Sequence, residues 1–283
     1  MVTVTDHDAL PTLAIVIPAY NEEETIRSCV VAAINQTVAA EEIIVVDNRS
    51  TDLTPHILDE LIRQYPEAPL RVLRQDELQG LVPTRNVGFN AVTADIIGRI
   101  DSDAVLEPNW VENVKKVFAN PKVDAATGPV IYYDLPLRRY MARADHTARK
   151  AMYRLTTSYK FLFGTNMALR RSVWEVIKDE VCLDADIDMH EDIDLSVHIY
   201  DAGFTTVYAS DMVAGMSSRR LDDTPKDFYD YVGRFDRTYS RHGIRKRRLR
   251  APAWVFLAIY PIAKGMRWGH KVRTQQGKLF PSI

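Results

Sequence analysis

The sequence predicts an α/β fold with a mainly parallel sheet covered by helices on both faces. Between residues 13 and 101, short apolar runs alternate with amphipathic helical patterns, and polar residues follow the apolar runs. Strands joined in this way by helices require right-handed crossovers, which make the sheet parallel. The 283 residues are 46% hydrophobic and 26% charged, enough for one large globular core.

The first half supplies four strands and three helices. We predict strands at 13–17, 43–47, 70–73 and 96–101. The first helix is expected to start at an N-cap formed by Asn21 with Glu24, the second at Thr54-Pro55, and the third to cover 84–92. Ligands of such sheets bind outside the carboxyl ends of the strands, so the site is expected there.

The pattern is less regular after residue 104. We predict helices at 108–118, 172–178 and 191–201 and strands within 123–133, at 165–169 and at 205–209. The stretch 135–160 is predicted to be a helix or an acceptor-side loop.

The C-terminal segment differs in charge from the rest of the chain. From residue 237 to the end there are twelve Lys or Arg and no Asp or Glu, whereas the first 236 residues carry a net charge of −14. Its apolar run at 251–263 is too short to span a membrane. Basic and aromatic residues around that run, within 241–273, favour a helix lying on an anionic membrane surface. A helix packed on the body, or binding of another polyanion, remains open; no nucleic-acid reader motif accompanies the segment.

The cysteine content and the N-terminal residues favour the cytoplasmic side. The two cysteines, Cys29 and Cys182, lie in apolar stretches and are too few for a disulfide framework. Residues 1–20 lack the basic start of a signal peptide. We expect a cytoplasmic protein held peripherally on the inner face of the cell membrane.

Carboxylates follow three of the predicted strands. They lie in the segments 18–22, 47–52 and 101–103. Asp101 and Asp103, two residues apart, can reach one divalent cation whose remaining coordination sites a diphosphate can fill. Mg²⁺ or Mn²⁺ would neutralise a departing nucleoside diphosphate. The alternative is a solvated turn in which Asp103 caps a helix.

A second acidic group, His190-Glu191-Asp192, opens the predicted helix at 191–201. Transfer of a group to a hydroxyl needs a general base, and a carboxylate at a helix start stays ionised. The alternative is that Glu191 and Asp192 only complement the helix dipole.

Five motifs occur in the order and spacing of the family 2 inverting glycosyltransferases, which this sequence resembles over residues 12–215. They are IVIPAYNEEETI, IIVVDNRSTD, RNVGFNAVTADIIGRIDSD, GTNMALRRSVW and HEDIDLSVHIYDAG. The resemblance implies the GT-A fold, with a Rossmann-like nucleotide-binding half at 12–103 and an acceptor-binding half at 104–215, in a catalytic domain of residues 1–215. Residues 216–283 would form a helical, basic C-terminal tail.

The resemblance also implies residue roles. The nucleotide would contact Pro18, Ala19, Tyr20, Glu22, Asp47, Arg85, Asn86, Asp101 and Ser102. The metal, Mg²⁺ or Mn²⁺, would bind Asp103 and Asp101. Donor sugar and acceptor would lie near Gly164, Thr165, Asn166 and His190. Asp192 would be the catalytic base and Glu191 its partner.

Departures from the family pattern limit these expectations. Arg49 stands where many relatives have a small residue, no histidine follows the strand at 205–209, and the motif of processive members is missing. We predict transfer of one sugar from a nucleotide-sugar donor, with UDP favoured over GDP, to a hydroxyl acceptor that could be lipid-linked or a cell-envelope glycan. The rivals are a nucleotidyltransferase and a non-catalytic member of the fold; a polyprenyl-phosphate sugar synthase would not need the base.

Overall fold

The computed structural model describes residues 10–135, 138–156, 158–183, 189–245, 249 and 251–279. Ten strands form two sheets. The strands are β1 (Leu13–Ala19), β2 (Glu42–Asp47), β3 (Leu70–Arg74), β4 (Ile96–Arg99), β5 (Ala104–Leu106), β6 (Ala125–Thr127), β7 (Val130–Tyr132), β8 (Met167–Arg170), β9 (Thr206–Tyr208) and β10 (Ala214–Met216).

Nine α-helices are described. They are α1 (Ile26–Ile34), α2 (Thr54–Gln64), α3 (Leu81–Asn90), α4 (Trp110–Phe118), α5 (Arg138–Leu155), α6 (Arg171–Ile177), α7 (Glu191–Asp201), α8 (Pro225–Arg241) and α9 (Ala251–Leu279). The uncertain stretch at 135–160 is therefore mostly helix.

The main sheet has the order β3-β2-β1-β4-β8-β6-β9. Strands β1 to β4 are parallel, and β8 runs antiparallel between β4 and β6. The mixed, mainly parallel sheet is thus confirmed. Because β8 pairs with β4, this one sheet continues across residue 103, and the division of the chain there stays a prediction.

Alternating side chains of β1 explain why both faces are covered. Leu13, Ile15 and Ile17 pack in one core with residues of α1, α2 and α4. Ala14 and Val16 pack in the other core with residues of α3, α6 and α7. A strand with this period of two and no polar side chain needs helices on both sides of the sheet.

The predicted start of α1 is wrong. The helix begins at Ile26 after Thr25, without a side-chain cap. Asn21 lies four residues before Thr25, with φ of 52°, and its side-chain oxygen accepts a hydrogen bond from the Thr51 amide at 2.8 Å. Asn21 therefore links the ends of β1 and β2 instead of capping a helix.

The strands predicted within 123–133 include β7, but the sequence patterns missed β5, β10 and the second sheet that these form with it, in the order β5-β10-β7. Strand β10 is antiparallel to β5 and parallel to β7. Each strand of this second sheet has three residues, which is too short to show a hydrophobic period. This sheet matters for the site because β5 directly follows Asp103 and β10 leads to Arg219.

The C-terminal segment is helical where it is described. Helix α9 packs on α8 through the stacked rings of Tyr260 and Phe228, 3.9 Å apart. Arg267 of α9 forms ion pairs with Asp134 and Asp222 at 2.5 and 2.8 Å. Residues 246–248 and 250, which carry part of the predicted basic cluster, lie outside the described residues, as do 1–9 and 280–283.

Candidate active site

Parallel pairing of β2, β1 and β4 brings their carboxyl ends to one edge of the sheet. Asp47, the last residue of β2, pairs in register with Ala19 of β1. Its carboxylate is buried and accepts a hydrogen bond from the Ser50 amide on Oδ1 at 3.3 Å. Oδ2 is also buried and has no hydrogen-bond partner among the described residues. A buried acceptor without a partner is costly, so this oxygen is suited to receive a ligand N–H.

The neighbouring Asn48 fixes the loop that precedes α3. Its side-chain amide donates to the carbonyl oxygens of Gln75 and Leu78 at 2.7 and 2.9 Å, and its oxygen accepts from the Gly80 amide at 2.7 Å. Arg49 follows with φ of 61°, in the left-handed region that favours glycine. The side chain of Arg49 is exposed.

Three carboxylates converge beyond β1 and β4 around Arg219. The Arg219 guanidinium makes a forked pair with Glu22, at 2.5 and 2.7 Å, and its Nε lies 3.0 Å from Oδ2 of Asp103. The third carboxylate belongs to Asp101, two residues before Asp103. Arg219 stands in the segment after β10, where the sequence offered no histidine.

The electrostatics of these carboxylates fit a divalent cation. Burial, followed by the nearby Asp101 and Glu22 carboxylates, raises the pKa of Asp103 to about 7, while Arg219 opposes the rise. The guanidiniums of Arg219 and, beside Asp101, of Arg99 compensate the negative charge of the three carboxylates only in part. Buried oxygen ligands with excess negative charge are the set that Mg²⁺ and Mn²⁺ prefer.

Glu191 lies between two fully buried arginines. Arg85 Nη1 donates to Oε2 of Glu191, and Arg99 Nη2 lies 3.2 Å from Oε1. Arg99 Nη2 is also 2.7 Å from Oδ1 of Asp101. Although burial opposes its charge, the Asp101 and Glu191 carboxylates raise the pKa of Arg99, so it stays a cation. Arg99 thus joins Asp101 to the first turn of α7.

Two consecutive residues connect the two acidic groups. The Gly164 amide donates to Oδ2 of Asp192 at 3.0 Å, and the Thr165 hydroxyl donates to Oδ2 of Asp101 at 2.6 Å. Gly164 has no room for a side chain, because a Cβ there would lie 1.9 Å from Nη1 of Arg99. Asp192 and Asp101 are therefore bound by the two neighbouring residues Gly164 and Thr165.

Asp192 has the properties of a general base. Burial and the adjacent Glu191 raise its pKa to about 6, against the effects of the Gly164 amide and Arg99. A carboxylate with this pKa is ionised at neutral pH and is a better proton acceptor than an exposed one. It differs from Glu191, whose carboxylate is already used by two arginines.

Other predicted site residues are placed as follows. Pro18 and Ala19 are buried at the end of β1, Tyr20 is exposed, and Ser102 is buried between Asp101 and Asp103. Asn86 accepts from Arg85, its neighbour on α3, at 2.9 and 3.1 Å. Arg85 itself is turned to Glu191 inside the protein, so it holds that carboxylate.

Asn166 lies in the core. Its side chain accepts from Trp110 Nε1 at 2.8 Å and donates to the carbonyl oxygens of Pro129 and Met212 at 2.9 and 2.7 Å. The residue is fully buried, so its side chain joins β8 to the segments before β7 and β10 rather than facing an open site.

His190 precedes α7, packed against the rings of Tyr231 and Phe235. Burial and the positive charges of Arg234 and Arg220 lower its pKa to about 3, so the imidazole is neutral at physiological pH. Its Nε2 is buried without a hydrogen-bond partner among the described residues.

Arg99 and Arg219 were missed by the sequence analysis. A signal for Arg99 was present, since it is a lone cation at the end of the apolar run 96–100. No local signal marks Arg219, because its partner Glu22 is 197 positions away.

Comparisons with known proteins show the family to which the chain belongs. The family model described as Glycosyl transferase family 2 matches residues 14–177, and that of Glycosyl transferase family group 2 matches 96–269. Glycosyltransferase AglE of Haloferax volcanii is 25% identical over 255 residues, covering 89% of this chain and 82% of AglE. Glycosyltransferase GlyA of Streptococcus pneumoniae is 32% identical over 41% of this chain, but the match spans only 16% of GlyA.

A solved structure shows the same fold. Mannosyltransferase PcManGT from Pyrobaculum calidifontis, in complex with GDP-Man and Mn²⁺, superposes with a TM-score of 0.67 at 18% sequence identity. The match covers 96% of this chain and 77% of that one. The fold is GT-A, and the family match covers more than half of the sequence. The chain therefore belongs to glycosyl transferase family 2 and is a glycosyltransferase.

Proposed function

We propose that the protein transfers a single sugar from a nucleoside diphosphate sugar to a hydroxyl acceptor with inversion at the anomeric carbon. The observation that carries this proposal is the pair of hydrogen bonds from Gly164 and Thr165 to Asp192 and Asp101. It sets the proposed base beside the carboxylates proposed for the donor diphosphate. In-line displacement needs such a base, on the side opposite the leaving group.

Each acidic group has a distinct part in the reaction. Asp192 takes the proton of the acceptor hydroxyl as that oxygen attacks the anomeric carbon and the bond to the diphosphate breaks. Asp101 and Asp103 would hold Mg²⁺ or Mn²⁺, which supplies charge neutralisation for the leaving diphosphate when bound. Glu191, clamped by Arg85 and Arg99, keeps the first turn of α7 in place.

Arg219 binds the donor diphosphate in this proposal. Half of its side chain is exposed, although the guanidinium is paired with Glu22 and Asp103. Arginine matches phosphate oxygens with two parallel hydrogen bonds. Its place beside Asp103 suits it to share the charge of the leaving group.

The nucleotide base lies at the end of β2. The unpartnered Oδ2 of Asp47 accepts an N–H of the base, and Asn48 keeps the adjoining loop open for it. Uracil and guanine both offer such an N–H. The preference for UDP over GDP stays a prediction, and PcManGT, solved with GDP-Man, makes GDP sugars the second donor class to test.

The test is a donor assay. The purified chain with Mn²⁺ is given UDP sugars and GDP sugars, and released nucleoside diphosphate is measured with and without glycan acceptors. Asp192→Asn should lower release by about 10²–10⁴-fold, while Asp201→Asn, at the exposed end of α7, should leave it unchanged. Release of pyrophosphate, or equal activity in Asp192→Asn, would contradict the proposed chemistry. Long polymeric products would contradict single-sugar transfer.

We also propose that α9 lies on an anionic membrane surface, consistent with a lipid-linked acceptor. One face of α9 packs on the body through Tyr260 and Arg267. The other exposes Trp254, Ile262 and Trp268, at 71%, 67% and 70%. Exposed tryptophans suit the membrane interface, and basic residues flank this helix in the sequence. No helix in the described part of the chain has the length and apolar character to cross a membrane.

Vesicle flotation tests this surface. The full chain should float with vesicles containing phosphatidylserine and stay behind with neutral ones. Changing Trp254 and Trp268 to serine should weaken flotation, and Val176→Ser, an exposed position on α6, should not. Equal flotation of the double variant and the wild type would contradict the proposal.

A further inference from the structure

A second group of potential metal ligands lies apart from the carboxylates at the sheet edge. Cys182, Asp194, His198 and His242 each offer one ligand atom, and these atoms all lie within 4.8 Å of one another. They come from three segments: the loop after α6, the helix α7, and the residue that ends α8. Glycosyl transfer as derived above uses none of them.

The two imidazoles converge on one carboxylate oxygen. Nε2 of His242 lies 2.8 Å from Oδ1 of Asp194, and Nε2 of His198 lies 3.6 Å from the same oxygen. The second distance is too long for a hydrogen bond, and Nε2 of His198 is buried without a partner among the described residues. The rings stand edge to face with centroids 5.1 Å apart. Nε2 of His198 is therefore available to a ligand that lies between the four side chains.

The spacing suits a tetrahedral ion after small adjustments. Ligand atoms around zinc lie about 3.3–3.6 Å apart, since zinc binds nitrogen and oxygen at about 2.0–2.1 Å and sulfur at about 2.3 Å. The observed separations, from 2.8 Å to the 4.8 Å limit, bracket these values. Rotation of side chains on a fixed backbone can make up such differences of about 1 Å.

The surroundings also resemble a metal centre. Nδ1 of His198 lies 3.8 Å from Oε2 of Glu180, and a carboxylate behind a ligand imidazole is a common way to orient it. Although burial works in the other direction, the imidazole of His242, hydrogen-bonded to Asp194 at 2.8 Å, and the nearby imidazole of His198 hold the pKa of Asp194 well below its usual value, so it is ionised.

Cys182 is not in the apolar surroundings that the sequence suggested. Burial and the Asp194 carboxylate raise the pKa of its thiol to about 11, against the effect of the nearby Arg241 cation. A metal ion reverses this balance, because its charge replaces the thiol proton. Binding would release that proton to solvent and form the sulfur–metal bond without any redox change.

We propose that Cys182, Asp194, His198 and His242 form a structural zinc site. Thiolate and imidazole ligands select zinc over Mg²⁺ and Mn²⁺, which prefer oxygen ligands. Four protein ligands complete a tetrahedral shell, as in structural rather than catalytic zinc sites. The ion is therefore distinct from the one expected at Asp101 and Asp103.

The proposed zinc site connects α7, which carries Asp192, to the end of α8. Asp194 is two residues beyond Asp192 on α7, and His242 directly follows α8. Between them, Ile193 and Val197 of α7 pack with Phe235 and Tyr239 of α8. Zinc adds a fixed connection at the end of this apolar contact, so its removal loosens α8 and the start of α7 together.

The experiment measures zinc in the full-length protein. The chain is stripped with a chelator, dialysed, reloaded with zinc alone, and its metal content and melting temperature are determined. We expect one zinc per chain and a higher Tm with zinc than without. Cys182→Ser and His242→Asn should each weaken zinc binding by more than the roughly 10–100-fold typical of losing an outer partner. His56→Asn, an exposed histidine on α2, and Asp103→Ala should retain it.

Cobalt provides a second readout that does not depend on the variants folding. Replacing zinc with Co²⁺ in the wild-type chain should give the intense absorption of a tetrahedral cobalt–thiolate centre. No stoichiometric zinc in the reloaded wild type, or no thiolate band with cobalt, would overturn the proposal. Loss of zinc in Asp103→Ala but not in Cys182→Ser would also overturn it, by assigning the ion to the sheet edge.

Discussion

Gly164→Ala tests the close approach on which the proposed site depends. A Cβ at this position would lie 1.9 Å from Nη1 of Arg99, whereas ordinary contact begins at 3.4 Å, so the guanidinium must move by about 1.5 Å. Arg99 is buried, and its ion pairs with Asp101 and Glu191 measure 2.7 and 3.2 Å. A movement of that size would break or lengthen both pairs.

The magnitude follows from two effects. Overpacking a core typically costs about 1–3 kcal/mol, and removing one partner of a buried ion pair costs about 3–5 kcal/mol. Because Arg99 is displaced and not removed, we expect a loss of about 2–4 kcal/mol in the free energy of unfolding. For a chain of this size, that is a fall in Tm of roughly 3–8 °C. Activity should fall as well, since the Gly164 amide holds Asp192.

Thermal unfolding followed by circular dichroism measures this effect. Gly265→Ala on α9 is the matched control: its added Cβ would meet no atom within 4 Å, and alanine favours a helix by about 1 kcal/mol. The cost of Gly164→Ala should largely vanish in an Arg99→Met background, where the clashing nitrogen is absent. A Tm of Gly164→Ala within about 1 °C of wild type would refute the reasoning, and so would an undiminished cost beside Arg99→Met.

Three further predictions concern pH and the C-terminal helices. Since Asp192 must be ionised to act and its pKa is raised to about 6, kcat at saturating donor and Mn²⁺ should rise with pH through about 6 and then level off. A pH profile of kcat without this rise would contradict its role as base. Below the Asp103 pKa of about 7, the affinity for nucleotide in the presence of Mn²⁺ should increase about tenfold for each unit by which the pH rises. In calorimetry, the pH at the midpoint of this increase should be higher in Arg219→Met, which lacks the cation that lowers the pKa of Asp103. An unchanged midpoint would contradict the effect of Arg219 on Asp103. Arg267→Met should cost about 1–3 kcal/mol in urea unfolding by leaving its carboxylates unpaired, and the exposed Lys226→Met should cost almost nothing.

The first half of the fold could be predicted from the sequence because its strands are apolar runs and its helices have apolar residues at helical spacing. Strand β1 has seven buried residues in a row, and α2 begins at the predicted Thr54. The predicted cap at Asn21 failed for a tertiary reason. Asn21 and Thr51 meet across two strand ends, and that contact takes the side-chain oxygen that a helix cap would use.

Part of the candidate site could also be predicted from the sequence. The motifs located Asp101, Asp103 and Asp192 because each follows a strand or opens a helix, where a local pattern marks it. The arginines that organise these carboxylates could not be located in this way. Arg85 meets Glu191 across 106 positions, and Arg219 meets Glu22 across 197, so only the folded chain reveals these pairs.

The zinc ligands were hidden for a similar reason. Asp194 and His198 are one helical turn apart, which is common on any helix. Cys182 lies 12 positions before Asp194, and His242 lies 48 positions after it, without a recognised ligand spacing. Their meeting depends on how α8 packs against α7.

Calorimetric titration of UDP and GDP, each with and without Mn²⁺, tests the central claim most directly. The account predicts that wild type binds one nucleotide in a Mn²⁺-dependent manner, that Asp103→Ala loses this binding, and that the exposed Asp59→Ala retains it. Absence of binding by either nucleotide to folded wild-type protein would contradict the claim that the carboxylates at the sheet edge form the donor site. Binding that persists unchanged in Asp103→Ala would contradict it as well.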